Sequence, residues 1–240
     1  VRPVCVITGS AGSLGSALSR TLLATHEVAA IYRQNLPDVA SQLRTPADLS
    51  GEPPNPGSRN QAYCIQGDLT NDADTRRIVE VVLARFGRID VVINSAADIR
   101  YHGNLLDIGF DSDAVERQLV TNCVAPMKLV SVIFHEFWKH EGRANAQNNR
   151  CVVNISSVSG LYVFPSVGQS FYSASKAALN FLTVHLAYEL SPYSVRSNAV
   201  CPVRFPESVP TEKVVSTVQE VIASHGTGEV VEVRRNSSSR

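Results

Sequence analysis

Val4-Cys5-Val6-Ile7-Thr8-Gly9-Ser10-Ala11-Gly12-Ser13-Leu14-Gly15 runs from an apolar stretch through a glycine-rich turn into a helical pattern. Glycines in such a turn admit positive φ and let the backbone come close to a pyrophosphate. The helix start behind them offers N–H groups and a positive dipole end. A tight strand-to-helix corner needs glycine too, so the weight of this stretch depends on the rest of the chain.

The rest of the chain alternates. The first β-branched run, at 4–8, is joined by others at 28–32, 62–66, 91–94, 151–156, 195–200 and 229–233. Segments of helical period lie between them, at 13–24, 71–86, 113–140, 171–190 and 211–224. This order predicts an α/β fold: a single doubly wound Rossmann-fold domain whose seven-stranded, mostly parallel sheet carries helices on both faces. The expected domain spans 1–233. Pro46, Pro53, Pro54 and Pro56 mark 45–60 as a surface insertion, and the alternation resumes in phase after it, which argues against a linker. Residues 234–240 read as a polar tail.

Composition narrows the function. Of 240 residues, 44% are apolar and 18% charged, as in a globular chain, and 22 basic residues cancel 22 acidic ones. No net field draws the chain to nucleic acid or an anionic membrane, and no apolar run approaches the ~20 residues of a membrane helix. The first residues lack the charged n-region of a signal peptide. Cys5, Cys64, Cys123, Cys151 and Cys201 are odd in number and far apart, so neither a disulfide framework nor a zinc site is expected. His102, His135, His140 and His185 show no metal-ligand spacing. A reducing, cytoplasmic setting without metal or nucleic acid is the expectation.

Two positions point to chemistry. The run at 28–32 ends in Arg33, where a site for an unphosphorylated dinucleotide would place a carboxylate; an arginine suits a ribose 2′-phosphate and hence NADP(H) over NAD(H). Tyr172 and Lys176 lie four apart on a helical segment and so share a face. A lysine cation beside a phenol should lower its pKa from about 10, allowing proton exchange near neutral pH. Upstream, Cys151-Val152-Val153-Asn154-Ile155-Ser156-Ser157 is a buried strand ending in hydroxyls, where α/β sheets place their ligands.

These motifs, with Gly67-Asp68-Leu69, Asn94-Ser95-Ala96-Ala97 and Thr121-Asn122, stand in the order found in the short-chain dehydrogenase/reductase family, which the chain resembles over nearly its whole length. The resemblance implies hydride transfer between a nicotinamide and a carbonyl or alcohol carbon, in the manner of carbonyl or 3-oxoacyl reductases. It implies a catalytic set of Asn122, Ser157, Tyr172 and Lys176. Tyr172 would be the general acid in reduction and Ser157 would orient the carbonyl oxygen. Lys176 would bind the ribose and depress the tyrosine pKa, and Asn122 would hold a water. Around the cofactor it implies Gly9, Ser10, Ser13, Leu14 and Gly15 at the phosphates. Arg33, Asp68 and Leu69 fall at the adenosine, where Asp68 would hold the adenine ring. Asn94, Ser95, Ala96, Tyr172, Lys176 and Pro202 complete the set. A homodimer or homotetramer is implied as well.

The chain departs from the family at Ser13, where a glycine is usual, and at Asn94-Ser95-Ala96-Ala97, which lacks a second asparagine and a final glycine. Cys201-Pro202-Val203 lacks the usual Pro-Gly, and the lid is shortened to 203–211. The segment after Ser157 is apolar, with Leu161, Tyr162, Val163 and Phe164. An open site is therefore expected, walled by Tyr162 and Phe164, for a small-molecule carbonyl or alcohol that is bulky or carrier-bound. The competing expectation is an NADP-binding regulatory or scaffold protein with little activity, which has no chemical need for the four catalytic residues together.

Overall fold

Seven strands, β1 (Val4–Ile7), β2 (Glu27–Tyr32), β3 (Tyr63–Gln66), β4 (Val91–Asn94), β5 (Cys151–Ile155), β6 (Arg196–Pro202) and β7 (Val230–Val233), form one sheet. Their spatial order is β3-β2-β1-β4-β5-β6-β7, and every pairing is parallel. The computed structural model describes residues 1–37, 62–106, 109, 111–165, 168–204 and 206–234. The expected insertion at 45–60 and residues 235–240 of the tail lie outside the described residues.

Side chains alternate across the sheet as strand geometry requires. Cys5 and Ile7 pack into a layer with Leu14, Leu18 and Leu22 of α1 (Ser13–Leu22) and Val214, Val218 and Val221 of α7 (Thr211–Ala223). Val4 and Val6 face the other layer, with Ile78 and Val82 of α2 (Asp72–Phe86) and Leu129 and Ile133 of α4 (Ala125–Glu136). Because helices cover both faces, the central strands β1, β2, β4 and β5 are mostly apolar rather than alternating, which is why they read as short continuous runs. At the N-terminal edge of the sheet, buried Asp90 accepts hydrogen bonds from the Val4 N–H, Arg88 and Arg150. That ion network ties β1 and β4 to the start of β5 at this edge.

The single helical segment expected at 113–140 is broken. It comprises α3 (Ser112–Leu119), a π-helical turn (Val120–Val124), α4 and a 3-10 turn (Trp138–His140), and beyond it lies a short additional helix, α5 (Arg143–Gln147). Pro126 has no N–H to give the carbonyl of Asn122, and the wider turn accommodates that loss. The helix between β5 and β6, α6 (Ser170–Leu190), runs without interruption and carries Tyr172 and Lys176.

Candidate active site

The strand order reverses at β1, whose neighbours β2 and β4 lie on either side. A cleft of about 1190 Å³ opens there, outside the carboxyl ends of the strands. On its β1 side the turn is built for close approach. Gly9 has φ +65, and a Cβ on it would lie 2.7 Å from the backbone Cα of Ala96; a Cβ on Gly15 would collide with the Gly9 carbonyl. No side chain caps α1 behind Gly12, so its first N–H groups face the cleft without a protein acceptor of that kind. Thr8, a residue the sequence motifs do not single out, accepts from the N–H groups of Ser95 (3.0 Å) and Ala96 (3.1 Å) through its Oγ1. Thr8 thus holds the atypical Asn94-Ser95-Ala96-Ala97 turn in place.

Gly9, Ser13, Leu14, Gly15, Arg33, Asp68, Leu69, Asn94, Ser95, Ala96, Ser157, Tyr172, Lys176 and Pro202 all line this cleft. Ser10 does not: it is buried and its hydroxyl donates to the Ile31 carbonyl at 2.8 Å, tying the turn to β2. Arg33, at the end of β2, faces Asp68 with an N–O separation of 4.0 Å, both side chains being partly exposed. Asp98, which carries no motif signal, also lines the cleft, and Arg100 beside it holds its carboxyl below the usual range.

The reacting end is made by β5 and α6. Ser157 lies just past β5, lines the cleft with Tyr172, and accepts the Ser159 N–H at 3.1 Å. Ser156 is spent elsewhere, its hydroxyl donating to the Lys176 carbonyl at 3.2 Å. Lys176 is buried; its Nζ donates to the Ile155 carbonyl at 2.8 Å and sits 5.8 Å from the centre of the Tyr172 ring. Gly160 lets the loop after Ser157 lie on α6, since a Cβ there would be 2.6 Å from the Lys176 carbonyl carbon.

The electrostatics differ from the expectation. Burial raises the Tyr172 pKa above its ordinary value, with the nearby Ser157 hydroxyl opposing it, so the lysine does not bring the phenol down. Instead burial lowers Lys176 to about 8. The Asn122 side chain does not line the cleft. Its Oδ1 accepts the Asp98 N–H at 2.6 Å, and its Nδ2 donates to the Asp98 carbonyl (2.9 Å) and to Ser175 Oγ (3.1 Å), so both its N–H groups are committed. Asn122 thereby fastens the π-helical turn to the loop after β4 and to α6.

On the substrate side, Phe164 lines the cleft, but Tyr162 does not. The Tyr162 hydroxyl donates to Glu232 at 2.6 Å, beneath the Arg234 guanidinium. Between β6 and α7 the described residues form turns without a helix, and Arg204, Glu207 and Ser208 line the cleft. Among the described residues no His, Cys, Asp and Glu cluster could hold a metal, and no helix is long and apolar enough to cross a membrane.

Comparison with known proteins agrees with this geometry. The family model described as "short chain dehydrogenase" matches residues 3–214. The 3-oxoacyl-[acyl-carrier-protein] reductase FabG of Thermotoga maritima is 29% identical over 223 residues, 92% of this chain and 81% of that protein. Dehydrogenase/reductase SDR family member 4 of Mus musculus is 29% identical over 201 residues, 83% of this chain and 64% of that protein. The crystal structure of a short chain dehydrogenase from Mycobacterium smegmatis superposes with a TM-score of 0.78 at 25% identity, over 99% of this chain and 93% of its own.

Proposed function

The chain belongs to the short-chain dehydrogenase family of nicotinamide-dependent oxidoreductases, and from that premise we propose that it is an NADP(H)-dependent reductase of bulky, apolar carbonyl compounds. The observation that carries this reading is the convergence of Ser157 and Tyr172 on one wall of the cleft, with the Lys176 ammonium buried 5.8 Å from the centre of the tyrosine ring.

The cleft fits the cofactor: glycines at Gly9 and Gly15 leave no room for side chains, α1 begins without a side-chain cap, and the buried Asn94 Oδ1 on the cleft wall lacks a partner. Ser13, Leu14 and Gly15 would hold the pyrophosphate, and Arg33 and Asp68 the adenosine. Arg33 supports a preference for the 2′-phosphate, because no carboxylate stands at the end of β2 to repel it. When bound, the nicotinamide supplies a hydride to the substrate carbon. The rest falls to the chain. Ser157 donates a hydrogen bond to the carbonyl oxygen and orients it. Tyr172, kept protonated near neutral pH by its burial, gives that oxygen its proton. Lys176, with a pKa of about 8, can exchange a proton close to neutral pH at the same wall. Phe164 offers apolar area to the substrate.

The test is Tyr172→Phe. It should reduce NADPH-dependent reduction of an aromatic ketone by roughly 10²–10⁴-fold while NADPH affinity, measured by fluorescence titration, stays within twofold. Turnover close to wild type would overturn the reading.

A further inference from the structure

Asn94 ends β4, and its register partner on β5 is Asn154. Their side chains meet: Asn94 Nδ2 donates to Asn154 Oδ1 at 2.8 Å, and Asn154 Nδ2 donates to Thr183 Oγ1 of α6 at 2.9 Å. The Thr183 hydroxyl lies 2.7 Å from the Leu179 carbonyl of the same helix. All three side chains are buried. They form a polar chain that starts on the backbone of α6 and ends on the cleft wall, which Asn94 lines and the other two do not.

This chain can run in one direction only. Two oxygens 2.7 Å apart need a hydrogen between them, and a carbonyl has none to give, so the Thr183 hydroxyl donates to Leu179. With its one hydrogen committed, Thr183 can only accept from Asn154, which turns the Asn154 Nδ2 towards it. The Asn154 Oδ1 then faces β4, and the Asn94 Nδ2 points at it. The backbone of α6 therefore decides which end of the Asn94 amide is left over. It is the acceptor: Oδ1 is buried and has no partner among the described residues. A buried acceptor left empty is costly, so this polarity suits a donor supplied by whatever fills the cleft.

We propose that Thr183 and Asn154 are positioning residues for the cofactor. They fix the polarity of the Asn94 amide, so that it offers an acceptor to a hydroxyl or N–H donor of the bound dinucleotide. The inference rests on the reductase reading for that dinucleotide. Its loss should appear in cofactor affinity, although neither residue reaches the cleft.

Two measurements test it. Neutron diffraction on the cofactor-free protein locates the amide deuterons, which in wild type should lie on the side of Asn94 that faces Asn154. Thr183→Val keeps the shape of the side chain and removes the hydroxyl. The chain should then reverse, because a buried carbonyl oxygen tolerates the missing partner better than a buried N–H does. NADPH and NADH are also titrated by fluorescence into wild type and variants. Thr183→Val should weaken both cofactors about tenfold, the size of one neutral hydrogen bond, and Thr183→Ser should bind them as wild type does. Asn94→Leu should lose as much, and adding Thr183→Val to it should cost nothing further, since both act through one acceptor. A purely structural Thr183 would lower the urea midpoint and leave both affinities in place. Unchanged affinities in Thr183→Val, additive losses in the double variant, or wild-type deuterons on the cleft side would overturn the proposal. The wild-type neutron measurement tests the polarity whatever the variants do to folding. Should wild type bind neither cofactor while its deuterons face Asn154 and Thr183→Val moves them, the polarity relay stands and the reductase reading falls.

Discussion

Asn122 closes a reciprocal pair with the backbone of Asp98, accepting its N–H at 2.6 Å and donating to its carbonyl at 2.9 Å, with both residues buried. A side-chain amide has the donor and acceptor of a peptide group, so it pairs with the loop after β4 as a neighbouring strand would. The second Nδ2 hydrogen reaches Ser175, whose hydroxyl donates to the Tyr172 carbonyl at 2.7 Å. The π-helical turn, the β4 loop and the first turns of α6 are joined through this one residue.

Asn122→Ala should therefore be costly even though the side chain does not line the cleft. It leaves a buried N–H and a buried carbonyl unpaired, worth ~1–3 kcal/mol. Urea unfolding should show that loss, and turnover should fall with it because Tyr172 loses its tether. An unchanged unfolding midpoint would contradict the pairing.

Arg33 should set cofactor choice. Wild type is expected to bind NADPH roughly ten- to a hundredfold more tightly than NADH, the range of a charge-assisted contact. Arg33→Ala should bring the two affinities together. Because Arg33 faces Asp68 at 4.0 Å, Asp68→Asn should release the guanidinium and sharpen the preference for NADPH. Equal wild-type affinities, read by fluorescence titration, would sink the assignment.

The sequence yields the sheet almost entirely, since strands buried on both faces are rich in β-branched and other apolar residues and stand out from the helical segments between them. It yields Tyr172, Lys176 and the glycine turn for a related reason: each is demanded by local geometry within a few residues. What it hides is non-local. Thr8 holds Ser95 and Ala96 across β1 and β4, and Asn122 meets Asp98 from another element. The motifs mark Ser95, Ala96 and Asn122, but nothing along the chain says which residue each of them meets. Ser10 escapes its expected place at the phosphates for the same reason, its hydroxyl being claimed by Ile31 of β2. The Tyr172 pKa runs against its expectation because spacing reports the lysine but not the burial that outweighs it. The helix at 113–140 reads as continuous because hydrophobic period carries on through a π turn.

Lys176 should cost stability at neutral pH. Its folded pKa of about 8 lies below the 10.5 of the free side chain, so between those values the unfolded chain binds more protons than the folded one. Its contribution is therefore unfavourable at pH 7 and is relieved as pH rises from about 8 to about 10.5. Lys176→Met should be more stable than wild type at pH 7, by up to about 3 kcal/mol from the linkage alone. The gap should narrow by pH 10, although the variant also lacks the bond to the Ile155 carbonyl. Activity should vanish in the same protein. Urea unfolding of both proteins at pH 7 and pH 10 decides it, and a gap that widens with pH would reverse the sign.

The loop after Ser157 should depend on a clamp that contributes to selectivity and not to stability. Tyr162 donates to Glu232 at 2.6 Å, Glu232 pairs with Arg234 at 2.6 Å, and the Arg234 guanidinium lies 5.3 Å from the centre of the Tyr162 ring. Glu232 stands opposite Cys201 in the β6–β7 register, so the clamp fastens the apolar loop to the edge of the sheet beside the site. All three side chains face solvent, where such pairs contribute little to folding. Glu232→Gln and Tyr162→Phe should accordingly leave the melting temperature unchanged. Each should raise KM for apolar ketones, because Phe164 then loses its fixed place on the cleft wall, while kcat holds. The double variant should be no worse than either single one, since the two residues act through one contact. The two partners hold the Glu232 carboxyl below its usual range, so the clamp should persist through neutral pH and open only as pH falls through that lowered value. A Tyr162→Phe protein whose KM matches wild type, beside a Phe164→Ala protein whose KM rises, would show that Phe164 needs no such support.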